Sequence, residues 1–115
     1  MSDTSSTEVL EIRTYKLVAG ARDDFDRVFR EGALPMLRRH GIEVVGYGPS
    51  LADDDHYYLM RAFRSVSGRA RQLDSFYGSA EWKQNYEAAV MPLIETYHTV
   101  VIPLTSCMPR LDAGG

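Results

Sequence analysis

The chain has 115 residues, 44% hydrophobic and 25% charged, which suits one globular domain with one core. Its net charge of −3 and its two distant lysines, Lys16 and Lys83, argue against nucleic acid, whose phosphates need clustered cations. Cys107 stands alone, so an internal disulfide and a Cys-based zinc motif are excluded. No apolar run approaches the ~20 residues of a membrane span. The polar leader Met1–Thr7 is not followed by a hydrophobic signal core, so the expected location is cytoplasmic.

In chain order, residues 1–7 read as a loose leader, 8–104 as one domain, and 105–115 as a loose tail ending in Ala113-Gly114-Gly115. Glu8–Leu17 alternates β-branched and apolar residues, so the pattern predicts a strand. Val18-Ala19-Gly20 turns the chain. From Ala21 to His40, Phe25, Val28, Phe29, Ala33, Met36 and Leu37 recur at helical spacing. Asp23 and Asp24 open that helix, Arg38 and Arg39 close it, and Gly41 suits a left-handed cap. Pro35 inside the pattern predicts a kink or break, because proline removes a backbone donor.

Ile42–Gly48 predicts a second strand, Pro49–Asp55 a polar loop, and His56–Arg64 a third strand. A helix is expected over Val66–Tyr77, capped by Ser65 or Ser67 and ended by Gly78. Ser79 then caps another helix, with Trp82, Tyr86, Ala89, Val90 and Leu93 on one stripe and Pro92 at its end. Glu95–Leu104 holds Thr96, Tyr97, Thr99, Val100, Val101 and Ile102, all strong strand formers. The order β-α-β-β-α-α-β is that of an α+β, ferredoxin-like fold with one extra helix. Right-handed crossovers place both helical layers on one face of an antiparallel sheet.

The strands are apolar on both faces. Leu10 and Ile12 oppose Val9, Tyr15 and Leu17; Tyr58 and Met60 oppose Tyr57, Leu59 and Phe63; Val100 and Ile102 oppose Tyr97 and Val101. Helices can cover only one of these faces. The other would leave an apolar patch that monomers rarely carry, and a second copy of the sheet is the economical cover. A homodimer is therefore expected.

Several blocks are recognisable. Glu11-Ile12-Arg13-Thr14-Tyr15, the stretch from Phe29 to Gly41, Tyr58-Leu59-Met60-Arg61-Ala62-Phe63, and the stretch from Phe76 to Lys83 resemble the NIPSNAP family in order, over about Val9 to Leu104. The resemblance implies a dimeric α+β barrel, in which two ferredoxin-like domains close their sheets together. Stand-alone bacterial members of that family mostly lack an assigned activity; mitochondrial relatives are linked to vesicle trafficking and to marking damaged mitochondria. More distant superfamily members are cofactor-free monooxygenases, haem-degrading enzymes and lactone isomerases that use a cleft between sheet and helices. The chain departs from many relatives at Gly48, where a bulky aromatic is often found, and that bears on the shape of any cleft.

Arg13 and Arg61 are the sharpest chemical signal. Each sits mid-strand among apolar neighbours, and the fold makes their strands adjacent. A guanidinium there must be paired or reach water. Glu11 and Glu95 can neutralise them in a structural network. Alternatively the pair forms a fork for a ligand carboxylate or enolate, with Tyr15 and Tyr97 adding hydroxyls. Phe76, Tyr77, Trp82 and Tyr86 read as core aromatics that can also wall an apolar cleft.

His98, inside the last strand, is the candidate general base, against the alternative of a packed histidine. His40 reads as a helix-end cap. His56 beside Asp53, Asp54 and Asp55 reads as a surface residue, with a weak divalent-ion site as the alternative. Positions 40, 56 and 98 have no metal-ligand spacing, so no metal is expected, and no cofactor fingerprint is present. Arg69 and Arg71 read as a solvated helix face. The functional expectation is a small organic ligand in the cleft, with cofactor-independent oxygenation, isomerisation or cyclisation as the chemistry. The alternative is a binding or interaction module without turnover.

Overall fold

The computed structural model describes residues 7–106. Four strands, β1 (Val9–Leu17), β2 (Glu43–Pro49), β3 (His56–Phe63) and β4 (Ile94–Pro103), form one antiparallel sheet in the order β2-β3-β1-β4. Helices α1 (Arg22–Val28), α2 (Leu34–Arg39), α3 (Val66–Tyr77), α4 (Ala80–Asn85) and α5 (Glu87–Val90) complete the α+β, ferredoxin-like arrangement that the sequence pattern predicts. Cys107 and most of the two loose ends lie outside the described residues; Thr105 and Ser106 belong to a short 3₁₀ turn, Leu104–Ser106, rather than to a free tail.

The sheet register explains both faces. Tyr57, Tyr15 and Tyr97 form one cross-strand row, Leu59, Arg13 and Thr99 the next, and Arg61, Glu11 and Val101 the third. These rows share the face on which the helices pack, where Tyr15, Leu17, Tyr57, Leu59 and Phe63 join Phe25, Met36, Leu37 and Phe76 in the core. Fully burying each such side chain contributes about 1.5–3 kcal/mol. The opposite face carries Ile12, Tyr58, Met60 and Val100, with Tyr58 and Val100 exposed. The exposure of Tyr58 and Val100 leaves part of this face open, as the two-sided apolar pattern anticipates, whereas Leu10 on the same face is buried.

Two helices differ from their expected course. The first is irregular just before Pro35 rather than at it. A π-helical turn, Phe29–Ala33, widens the backbone so that the Leu34 N–H reaches the Phe29 carbonyl. Pro35 then falls in the first turn of α2, where its missing donor costs no helical bond. Gly41 adopts φ +76° and closes α2 as a left-handed cap.

The second departure is at Tyr86, where φ −127° separates α4 from α5. A Cβ on Gly32 would lie 2.3 Å from Tyr86 Cε1, so the π-turn glycine gives the Tyr86 ring its seat. That packing overrides the continuous stripe expected from Trp82 to Leu93, and Ala89 ends exposed. Ser65 and Ser79 do cap α3 and α4, accepting from the backbone N–H of Gly68 and Trp82. No helix among the described residues is long and apolar enough to cross a membrane.

Candidate functional site

Glu11 organises the polar interior. Its side chain and that of Arg61 are both 0% exposed. The register sets them opposite one another on β1 and β3, and Arg61 Nε donates to Glu11 Oε1 at 2.6 Å. Arg69, from α3, comes down onto the other oxygen: its Nε donates to Glu11 Oε2 at 2.9 Å and its terminal nitrogen lies 2.7 Å away. Arg13, two residues along β1 on the same face, brings a third guanidinium to 3.6 Å from Oε2.

Three cations thus share one carboxylate. Burial alone would raise the Glu11 pKa, but the hydrogen bond and charge of Arg61, helped by Arg13 and Arg69, hold it below the ordinary value of 4.5. Arg61 also donates to the Tyr77 hydroxyl at 3.0 Å, while its remaining terminal nitrogen is buried without a hydrogen-bond partner among the described residues.

Arg13 differs from Arg61 in its surroundings. Its side chain is 13% exposed, its Nε donates to Thr99 Oγ1 at 3.1 Å, and its guanidinium lies 4.9 Å from the centre of the half-exposed Tyr97 ring. It opens onto a cavity of about 490 Å³ between the sheet, α3 and the α4–α5 segment. Arg69 lines the same cavity, as do Tyr15, Tyr77, Trp82 and Tyr97. Leu73, Val90, Met91 and Ile94 make its apolar wall. The volume is that of a small-molecule site. Desolvation first, and the neighbouring Tyr77 second, push the pKa of the Tyr15 hydroxyl up to about 12.

The structure therefore brings together Arg13, Tyr15, Tyr77, Trp82 and Tyr97 on one cavity, with Arg61 behind it in the wall. It does not bring His98 there. His98 pairs in register with Thr14 and lies exposed on the opposite face of the sheet. Glu95 does not serve the arginines: a register shift at Lys16/Leu17 turns it to Lys16, whose Nζ it meets at 3.0 Å. His56 Nδ1 contacts Asp53 Oδ1 at 3.0 Å, and no group of three or more metal-binding side chains gathers among the described residues.

Arg69 is the residue that the sequence pattern misassigns to a solvated face. The signal for it was present. Arg69, Leu73 and Phe76 fall at i, i+4 and i+7, so Arg69 shares the buried stripe of α3, whereas Arg71 does not.

A four-stranded antiparallel sheet with one helical face, and a cleft between the two layers, defines a ferredoxin-like α+β protein. The NIPSNAP family profile matches residues 10–109, and the chain belongs to that family. Among solved structures, it is similar to a NIPSNAP-like domain protein of unknown role from Burkholderia xenovorans, with TM-score 0.78, 17% identity, and 87% and 88% of the two chains covered. A NIPSNAP family protein of unknown function from Agrobacterium tumefaciens gives TM-score 0.78 at 24% identity, covering 85% and 88%. A Caulobacter crescentus protein provisionally named an antibiotic biosynthesis monooxygenase gives 0.67 at 17%, covering 86% and 91%. At these identities the likeness is one of fold. No match emerges among proteins with curated descriptions.

Proposed function

We propose that the cleft binds a small organic anion. The observation that carries this reading is the local charge imbalance around Glu11: Arg13, Arg61 and Arg69 converge on that one carboxylate, leaving two positive charges in excess at one end of a cavity whose exposed residues include Asp74 and Glu87. A desolvated excess of guanidinium is costly unless water or an anion answers it, and guanidinium matches planar carboxylates and enolates. Native mass spectrometry tests the reading. The purified chain is expected to carry, or to take up from a mixture of organic acids, one small anion per subunit. Arg13→Ala is expected to lose it. An adduct retained unchanged by Arg13→Ala would contradict the reading.

We also propose that the chain acts as a homodimer through the uncovered sheet face, supported by the exposed Tyr58 and Val100 beside Ile12 and Met60. Light scattering is expected to give twice the 13.0 kDa chain mass; a stable monomer at micromolar concentration would contradict it.

A catalytic use of the same cleft has one specific support. Tyr15 lines the cavity together with Arg13 and Arg69, which supports its hydroxyl as a hydrogen-bond donor to a developing enolate. Cofactor-independent isomerisation or cyclisation through such an intermediate fits that donor set. Turnover lost in Tyr15→Phe with ligand binding intact would support catalysis; binding without any turnover would leave the cleft a binding module.

A further inference from the structure

We infer that the cleft selects monocarboxylates with an apolar or aromatic body, which enter carboxylate first, and that Asp74 and Glu87 at its mouth select against a second negative charge. The inference rests on the anion-binding reading above and assigns the ligand class and two specificity residues to the same cavity.

The cavity is polarised from floor to mouth. Arg13 and Arg69 line it at 13% and 21% side-chain exposure, over the fully buried Glu11. Asp74 on α3 and Glu87 on α5 line the same cavity, but both are exposed and neither forms an ion pair among the described residues. Leu73, Trp82 and Val90, all buried, and Ile94 lie on its walls. A ligand that satisfies this sequence of environments has one anionic head, an apolar middle, and a far end that is neutral or cationic.

Charge sets the preference at each level. At the floor, a ligand carboxylate meets two guanidiniums that are themselves largely withdrawn from water, where the attraction is stronger than at a surface. At the mouth, a second carboxylate on the same ligand meets Asp74 and Glu87. Partial exposure weakens that repulsion without removing it, because solvent and salt screen only part of it. The mouth therefore acts by excluding the wrong ligand rather than by holding the right one. Asp74 also serves the fold through its backbone carbonyl, which accepts from the Gly78 N–H.

The test uses three matched probes on the full-length protein: hydrocinnamate, its primary amide hydrocinnamamide, and the diacid p-carboxyhydrocinnamate, followed by calorimetry. Hydrocinnamate is expected to bind about tenfold or more tightly than either of the others, the ordinary effect of one charge-assisted hydrogen-bonded group. Asp74→Asn combined with Glu87→Gln is expected to leave hydrocinnamate within about twofold and to tighten the diacid at least about threefold, as removal of screened repulsion at an exposed rim should. Thermal melting equal to that of the parent verifies that the double variant is folded.

Equal binding of acid and amide would overturn the inference, as would a discrimination against the diacid untouched by the double variant. If the diacid binds best and Arg13→Ala abolishes that binding, the monocarboxylate class falls while the anion site stands. If none of the probes shows Arg13-dependent binding, the anion-binding reading falls with it.

Discussion

The closed and open ends of the arginine cluster use the same residue type in different solvents. At the closed end, Arg61 and Glu11 are fully buried, 2.6 Å apart, and each is fixed by the register of β1 against β3. At the open end, Arg13 and Arg69 keep some access to water and face the cavity. A buried guanidinium with a carboxylate partner is a structural commitment, since removing either member strands the other. A guanidinium beside a cavity can exchange water for a ligand. On the reading proposed above, burial decides which of two chemically identical groups belongs to the fold and which to the site.

The strongest way to break that contrast is Arg61→Ala. It leaves Glu11 with its closest partner gone, and the expected loss is about 3–5 kcal/mol of folding stability, read by chemical denaturation. A parent-like midpoint would mean that the closed end is not closed to water. Arg69→Ala should sit between the two ends, costing about 1–2 kcal/mol, because its bonds to Glu11 are charge-assisted but partly exposed. A loss as large as that of Arg61→Ala would extend the structural end of the cluster onto α3.

Acid sharpens the same contrast. The folded-state pKa of Glu11 is depressed, so its contribution to stability is present above the ordinary value of 4.5 and is lost as pH falls below it, through the depressed folded value. Melting temperature is expected to drop across that window, and the drop should be shallower in Arg61→Ala, which has lost most of the depression. A slope identical to that of the parent would contradict the assignment to Glu11. The smallest effect belongs to Tyr15. Its folded pKa is raised to about 12 from an ordinary 10.0, so the parent loses stability as pH rises from 10.0 through about 12. Tyr15→Phe should lose less over that alkaline window while melting within about 1 kcal/mol of the parent at neutral pH.

The fold was legible because alternation in β1, β3 and β4 and helical spacing in α3 agree with one another and with their caps. The two helical departures were less so. Pro35 announced an irregularity, but its position depended on a π-turn and on the Tyr86 ring resting against Gly32, a contact between residues far apart in sequence. For the site, Arg13 and Arg61 stood out as mid-strand charges, and adjacency of their strands followed from topology. Partner choice did not follow, because the register shift at Lys16/Leu17 diverts Glu95 to Lys16. Arg69 was readable from the α3 stripe, yet a charged residue on a helix is usually solvated, and its partner Glu11 lies 58 residues away in sequence. His98 shows the limit of strand reasoning: its neighbours suggest a catalytic position, but alternation places it on the face away from the cavity.

Arg13→Ala, melted with and without hydrocinnamate beside the parent protein, tests the site at its open end. Removing Arg13 relieves repulsion from Arg69 and Arg61 while losing the longer 3.6 Å ion pair with Glu11, the Thr99 bond and the contact with the Tyr97 ring, and Arg61 and Arg69 still hold Glu11, so unliganded stability should stay within about 1 kcal/mol of the parent. Hydrocinnamate should raise the melting temperature of the parent and leave that of Arg13→Ala unmoved. An equal rise in both proteins, or a variant that unfolds as readily as Arg61→Ala, would contradict the division of the cluster into a structural end and a binding end.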